Sequence, residues 1–379
     1  MNEKEMQLDE LLKYISEEIG ITQNMVDMAV KSYESVGSWL SSGIDYDVHI
    51  YPQGSMALGT TIKPITDTDD YDIDLVCLLE NGQSLDAKAI KNIVGDRLKE
   101  NGTYCSKIQQ EGEGKRCWKM QYNEFHMDIL PSVPKTIYLK PNFTDIRLTH
   151  KNDQGIYEDR YSNPYGYKKW FENQMGEILT DHKRAYALSN QKEIEDVPTY
   201  RVKTPLQISI QLLKRHRDIM FKNDDNAPIS IIITTLAALS YCGESSIYET
   251  LNNVLNSMIR YVEVKNGVYW IKNPVMPEEN FADKWQEHPE RKDAFMAWIK
   301  QAKKDFIENP LSSLGIDEIS TLFENSLGTY PVQRAIKKYA NNTRKIREQG
   351  KLYTTSTSGV TMIAKGAKKI KGHNFFGVK

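Results

Sequence analysis

Five of the eight positions from Asp67 to Asp74 are aspartate, and the apolar run from Leu75 to Leu79 follows at once. Carboxylates crowded against a strand repel one another, and their desolvation costs several kcal/mol unless cations, water or a metal ion answer them. In a strand, residues two apart face the same way, so Asp72 and Asp74 share one face while Ile73 and Leu75 share the other. The stretch "FHMDIL" repeats the arrangement: Phe125, Met127 and Ile129 go one way, Asp128 and His126 the other. Two neighbouring strands of this kind hold three carboxylates over one open face. Such a donor set suits a hard cation such as Mg²⁺, which leaves positions for phosphate oxygens. With two ions, one activates an attacking hydroxyl and the other neutralises a leaving pyrophosphate. An edge strand with solvated acids gives the same Asp pair, but it explains neither Asp128 nor the turn upstream. Asp67, Asp69 and Asp70 precede the strand and read as a solvated loop.

That upstream turn is "QGSMALG". Gly54 lets the backbone approach a ligand, and Ser55 opens a short helix whose free N–H groups suit a phosphate. Gln53, Gly54 and Ser55 are therefore candidate phosphate-binding residues, and Asp72, Asp74 and Asp128 candidate catalytic and metal ligands. Gly-Ser followed 17 residues later by Asp-x-Asp, and then by a lone Asp on a later strand, is a far more specific signal than any one part.

The elements that must position these groups follow from periodicity. Residues 4–19 and 22–40 carry apolar positions at helical spacing. "DVHIYPQG" reads as a short strand entering a turn, 72–79 as a central strand and 85–101 as a helix. Residues 104–130 read as three strands, "YCSKIQQ", "RCWKMQY" and "EFHMDIL". Beyond residue 160 the chain turns helical, over 165–177, 204–221, 229–241, 246–263, 291–308, 316–325 and 330–347. On 204–221, Leu206, Ile210 and Leu213 form an apolar side. Gln207, Gln211, Lys214 and Asp218 form a polar stripe, which by spacing alone is a solvated face. On 229–241, with Asn226 as its cap and Pro228 in its first turn, Ser230, Thr234, Ala237 and Tyr241 share a face. Ser230 at that helix start suits a phosphate. Tyr241 is a candidate for stacking on a base, with core packing as the alternative.

The chain thus reads as α+β, with residues 1–160 a mixed-sheet lobe and 161–350 a helical lobe, the active site lying in the cleft between them. "TTSTSG" marks a flexible link, and 351–379 a basic, mobile tail. A chain of 379 residues is long enough for two lobes. The four cysteines form no CxxC pair and have no His at zinc-ligand spacing, so they read as reduced thiols of a cytoplasmic protein. No signal peptide or membrane span is expected. From Pro331 onward there are 12 basic residues against one acid; the preceding 330 residues carry 37 basic against 50 acidic side chains. An acidic body argues against a long polynucleotide substrate.

The Gly-Ser turn, the Asp-x-Asp strand and the third aspartate resemble the nucleotidyltransferase superfamily of DNA polymerase β. "HMDILPSVP", "SNPYGYKKWF", "QISIQLLKRHRD", "PISIIITTLAALSY" and "NPVMPEENFADKW" further resemble the bacterial cGAS/DncV-like nucleotidyltransferases, or CD-NTases, over roughly residues 20–350. The resemblance implies a polymerase β-like fold and synthesis of a cyclic oligonucleotide, foremost a cyclic dinucleotide, from ribonucleoside triphosphates in anti-phage signalling. It implies two Mg²⁺ ions, with Mn²⁺ able to substitute. It also implies that Lys214 contacts the donor triphosphate, with Arg215 and Arg217 as neighbours, and that Ser230 does likewise. Nucleic-acid-sensing relatives carry a zinc insertion or a basic face; this chain has neither, so no obligatory nucleic-acid activator is expected, and either constitutive activity or control by a regulatory protein partner takes its place. Some family C-termini are captured by ubiquitin-like transfer proteins, although Gly377-Val378-Lys379 departs from their small terminal residue. A template-independent transferase acting on RNA, protein or a small molecule shares the core, and an inactive nucleotide-binding module is the remaining alternative.

Overall fold

The structure, a computed structural model, describes all residues except 67–69, 137–143, 352, 356–358, 362–367 and 370–379. Asp67, Asp69 and the terminal "HNFFGVK" therefore lie outside the described residues. The helices are α1 (Glu3–Ile19), α2 (Gln23–Ser41), α3 (Gly54–Leu58), α4 (Ala87–Lys99), α5 (Gly102–Glu111), α6 (Pro164–Asn190), α7 (Pro205–Met220), α8 (Ser230–Ser240), α9 (Ile247–Ser257), α10 (Pro289–Lys303), α11 (Asn309–Ser312), α12 (Ile316–Leu327) and α13 (Thr329–Glu348). One mixed sheet carries the chemistry. Its strands are β1 (Val48–Pro52), β2 (Tyr71–Leu79), β3 (Trp118–Gln121), β4 (Phe125–Pro134), β5 (Ile146–Lys151) and β6 (Tyr157–Ser162). The order is β1-β2-β4-β5-β6, with β3 on the same edge of β4 as β5. Only β2 and β4 pair in parallel.

Two large apolar cores, with a small third cluster of Val76, Leu130, Ile146 and Leu148, pack this sheet and the helices behind it among the described residues. Ile73, Leu75, Met127 and Ile129 point from β2 and β4 into one core, which α2, α4 and α5 close with Val36, Leu40, Ile90, Val94 and Ile108. Each such side chain contributes roughly 1.5–3 kcal/mol when fully buried. The other core is helical, and it draws in α1 through Leu8, Leu11, Leu12 and Ile15. The N-terminal helix thus packs with α7, α9 and α13 rather than with the sheet. Phe171 is fully buried there and Trp170 packs against it, as packing residues.

Local chemistry sets the element ends. Asn2 and Glu5 form a capping box on α1, and Thr204 and Gln207 another on α7. Asn163 caps α6, its Oδ1 accepting from the Gly166 amide; α6 kinks at Gly176 and runs on to Asn190, well beyond 177. The expected strand over "YCSKIQQ" is instead helix α5: Asn101 accepts from the Thr103 and Tyr104 amides, and Tyr104 and Ile108 bury together one turn apart. At the two ends of the expected flexible link, Tyr353–Thr355 pairs antiparallel with Gly359–Thr361, and also with Lys368–Lys369, while residues 356–358 of the link lie outside the described residues. No helix among the described residues is long and apolar enough to cross a membrane.

Candidate active site

The carboxylate face is built by register. β2 and β4 run parallel with Asp74 opposite Asp128 and Asp72 opposite His126. Over residues 71–75 and 125–129 both strands alternate in burial, the apolar residues inward and these polar ones outward. Burial first, then the charges of Asp128 and Asp72, push the Asp74 carboxyl up to about 7. Asp72 is raised for the same reasons, burial first and Asp128 second. The Cys117 thiol, itself driven up to about 12 mainly by burial, donates to Asp128 Oδ2 at 3.2 Å.

The Gly-Ser turn lies against this face. Gly54 has φ +56°, and a Cβ there would stand 2.7 Å from Asp74 Oδ2, so glycine is demanded by both backbone and space. The Gln53 amide donates to the Asp74 carbonyl at 2.8 Å, tying the turn to β2. Ser55 Oγ is 3.0 Å from Thr61 Oγ1, and the Ser55 carbonyl accepts from the Thr60 amide.

Across from the sheet stand α7 and α8. Lys214 donates from Nζ to Thr60 O and Oγ1 at 3.3 and 3.2 Å, and burial foremost lowers it to about 7. Arg217 donates from Nη1 to the Pro228 carbonyl and to Ser230 Oγ, and from Nε to Asp218. Gly54, Ser55, Asp72, Asp74, Lys214 and Ser230 all line one cavity of about 420 Å³. Six predicted residues from two distant stretches of the chain, 54–74 and 214–230, meet around it.

The remaining predictions fare differently. Asp128 faces Asp74 from the neighbouring strand but is not a lining residue, and neither is Gln53, whose side chain makes no cap bond to α3. Tyr241 is not brought to the cavity. The helix ends at Ser240, Tyr241 takes extended backbone (φ −73°, ψ 132°), and its hydroxyl donates to the Glu244 carbonyl. Ile229, not Asn226, occupies the cap of α8, leaving Ser230 its first residue. Asp70 is no solvated loop residue: it lines the cavity, sits 3.1 Å from His126 Nε2 and accepts from Gln121. The polar stripe of α7 is not solvated either, since Gln207, Gln211 and Lys214 are all buried. Thr60, Thr61, Lys63, Arg217, Asp218 and Thr234 add further polar groups to the lining. Of these, Asp218 was legible as the end of that stripe and Arg217 as a neighbour of Lys214; the loop residues carried no chemical signal of their own.

Among the described residues, no three His, Cys, Asp or Glu side chains converge as they stand to enclose a metal ion. The donor chemistry nonetheless fits a hard divalent cation. Asp72, Asp74 and Asp128 are oxygen donors in adjacent registers, and the raised Asp72 and Asp74 report anionic crowding that a cation would relieve.

Residues 48–131 match the family described as cyclic GMP-AMP synthase DncV-like, nucleotidyltransferase domain. Along nearly its whole length the chain is similar to the c-di-GMP synthase of Roseivirga ehrenbergii, 32% identical over 354 residues that span 91% of this chain and 90% of the relative. It is 24% identical over 377 residues to the cyclic dinucleotide synthase CdnG of Bradyrhizobium diazoefficiens, spanning 92% of this chain and 87% of that one. The fold is likewise that of the solved B. diazoefficiens CD-NTase CdnG in complex with GTP, with a TM-score of 0.69 at 21% identity over 88% of this chain and 99% of that one.

Proposed function

From the premise that this chain belongs to the DncV-like cyclic dinucleotide synthases, we propose that it converts two molecules of GTP into cyclic di-GMP, a second messenger in anti-phage defence. The observation that carries the reading is the convergence on one cavity of Gly54, Ser55, Asp72 and Asp74 from the sheet side with Lys214 and Ser230 from the helices. Guanosine is assigned because the 32%-identical relative is named a c-di-GMP synthase.

The chain's own groups then have distinct tasks. Lys214, Ser230 and Arg217 offer a cationic and hydroxyl-bearing wall for the triphosphate, with Ser55 opposite them. Cys117 donates to Asp128 Oδ2 and so orients this carboxylate, which takes the proton of the attacking ribose hydroxyl. That hydroxyl oxygen bonds to the α-phosphorus as the bond to pyrophosphate breaks; a second round closes the ring. Asp72, Asp74 and Asp128 would hold Mg²⁺ or Mn²⁺, which when bound supplies charge neutralisation at the phosphates and a more acidic hydroxyl. Positioning and charge neutralisation dominate such reactions.

The test is incubation with all four ribonucleoside triphosphates and Mg²⁺, or Mn²⁺ in parallel, with mass spectrometry of phosphatase-resistant products and Asp72→Ala/Asp74→Ala as control. Cyclic di-GMP from the intact protein alone is the expected result. A cyclic product of other bases overturns the guanosine assignment. Linear additions to a supplied RNA or protein would replace the whole reading with a terminal transferase.

A further inference from the structure

The loop after α3 forms much of the cavity wall: Leu58, Thr60, Thr61, Ile62, Lys63 and Pro64 all line it. Its carbonyl oxygens, however, are bound by side chains that reach across from α7 and the residues just before it. Gln207 Nε2 donates to Leu58 O at 2.8 Å, Lys203 Nζ to Gly59 O at 2.7 Å, and Lys214 Nζ to Thr60 O at 3.3 Å. Gln211 Nε2 donates to Thr61 O at 2.6 Å, and Arg215 Nη2 to Lys63 O at 2.6 Å and Pro64 O at 3.1 Å. Six of the seven carbonyls from residue 58 to residue 64 thus have a side-chain donor from one neighbouring segment.

A carbonyl oxygen is the negative end of a peptide dipole and repels a polyanion. We infer that Lys203, Gln211 and Arg215 are positioning residues which, with Gln207, hold the loop carbonyls toward α7 and so keep the cavity wall free of acceptors where a triphosphate lies. None of the three lines the cavity, so each acts through the loop rather than on the nucleotide. The geometry also explains why donors rather than apolar side chains occupy buried positions on this face of α7. Gln211 is 1% exposed and Arg215 4%, a burial that costs free energy unless it is offset by hydrogen bonds such as those from Gln211 Nε2 and Arg215 Nη2 to the loop carbonyls. The inference rests on the nucleotide reading of the cavity.

The experiment measures binding of a non-hydrolysable GTP analogue, alongside thermal stability, for the intact protein and for Gln211→Met, Arg215→Met and Arg215→Lys. Leu251→Ala, in the fully buried core of α9, serves as a purely structural control. Gln211→Met, which loses one hydrogen bond to the loop, and Arg215→Met, which loses two, should each bind more weakly by about tenfold or more. Arg215→Lys, which keeps a donor, should recover most of that loss, and Leu251→Ala should melt earlier with affinity unchanged. Affinity that stays at the intact level in Gln211→Met and both Arg215 variants overturns the inference, as does a loss that Arg215→Lys fails to recover. Should Gln211→Met not fold, the Arg215 pair decides alone. An intact protein that binds no analogue would instead contradict the nucleotide reading, a result distinct from either.

Discussion

At the scale of single residues, the site depends on one absence as much as on its charges. Gly54 leaves room for the Asp74 carboxylate and adopts a left-handed backbone. Gly54→Ala must move either the turn or Asp74, at a backbone cost of about 1–3 kcal/mol. Because a displacement of about 1 Å at a reacting centre can cost two orders of magnitude in rate, product formation should fall by about 100-fold while the protein stays folded. Near-intact turnover by a folded Gly54→Ala protein would show that the turn does not set the carboxylate. The Gly-Ser turn, the Asp-x-Asp pair and Asp128 were legible because strand alternation places polar residues on one face whatever the tertiary context. Asp70 was not, since its partners His126 and Gln121 come from other strands and only the fold brings them near.

At the scale of elements, α4 holds the edge of the sheet by a buried lysine. Lys91 is fully buried, donates from Nζ to the Gly114 and Cys117 carbonyls, and lies over the Trp118 ring, while its own carbonyl accepts from Trp118 Nε1. Burial foremost lowers its pKa to about 8 from an ordinary 10.5. Between those values the unfolded chain keeps the proton longer than the folded one, so this group adds stability as pH rises from about 8 to 10.5 and none below that window. The unfolding free energy of the intact protein should therefore gain on that of Lys91→Met across the window, on the order of 3 kcal/mol in all. Chemical denaturation at pH 7.5 and at higher pH measures it (values near pH 8 bracket the lower limit), and a constant difference would place the ammonium's titration outside the window. Element identity was readable where caps and periodicity agreed, as at α1, α2 and α7. It failed at "YCSKIQQ", where aromatic and β-branched residues imitate a strand but Asn101 starts a helix. It failed again at Tyr241, because a face drawn on a helix wheel extends past the point where the helix ends. The stripe on α7 was found but its partner was not: nothing in the order of Gln207, Gln211 and Lys214 says that a loop some 150 residues earlier receives them.

At the scale of the whole molecule, charge is segregated: the 330 residues before Pro331 carry a net −13, and the segment from there on +11. A body of that sign repels a nucleic-acid backbone. Synthesis should therefore neither require nor respond to added double-stranded DNA or RNA at low salt, where any electrostatic binding is strongest. A rise in rate of about tenfold or more on adding duplex would contradict this. The two-sided build of the site was visible in the sequence only as two separate signals, carboxylates before residue 130 and cations after residue 200. The α7-to-loop hydrogen bonds join the two sides, and no spacing rule anticipates them.

The most direct measurement is a crystal structure with Mn²⁺ and a non-hydrolysable GTP analogue, the metal located by its anomalous scattering. The account predicts manganese over Asp72, Asp74 and Asp128, and the triphosphate between Ser55 on one side and Lys214 and Ser230 on the other. Manganese elsewhere, or a triphosphate that touches neither Lys214 nor Ser230, would contradict it.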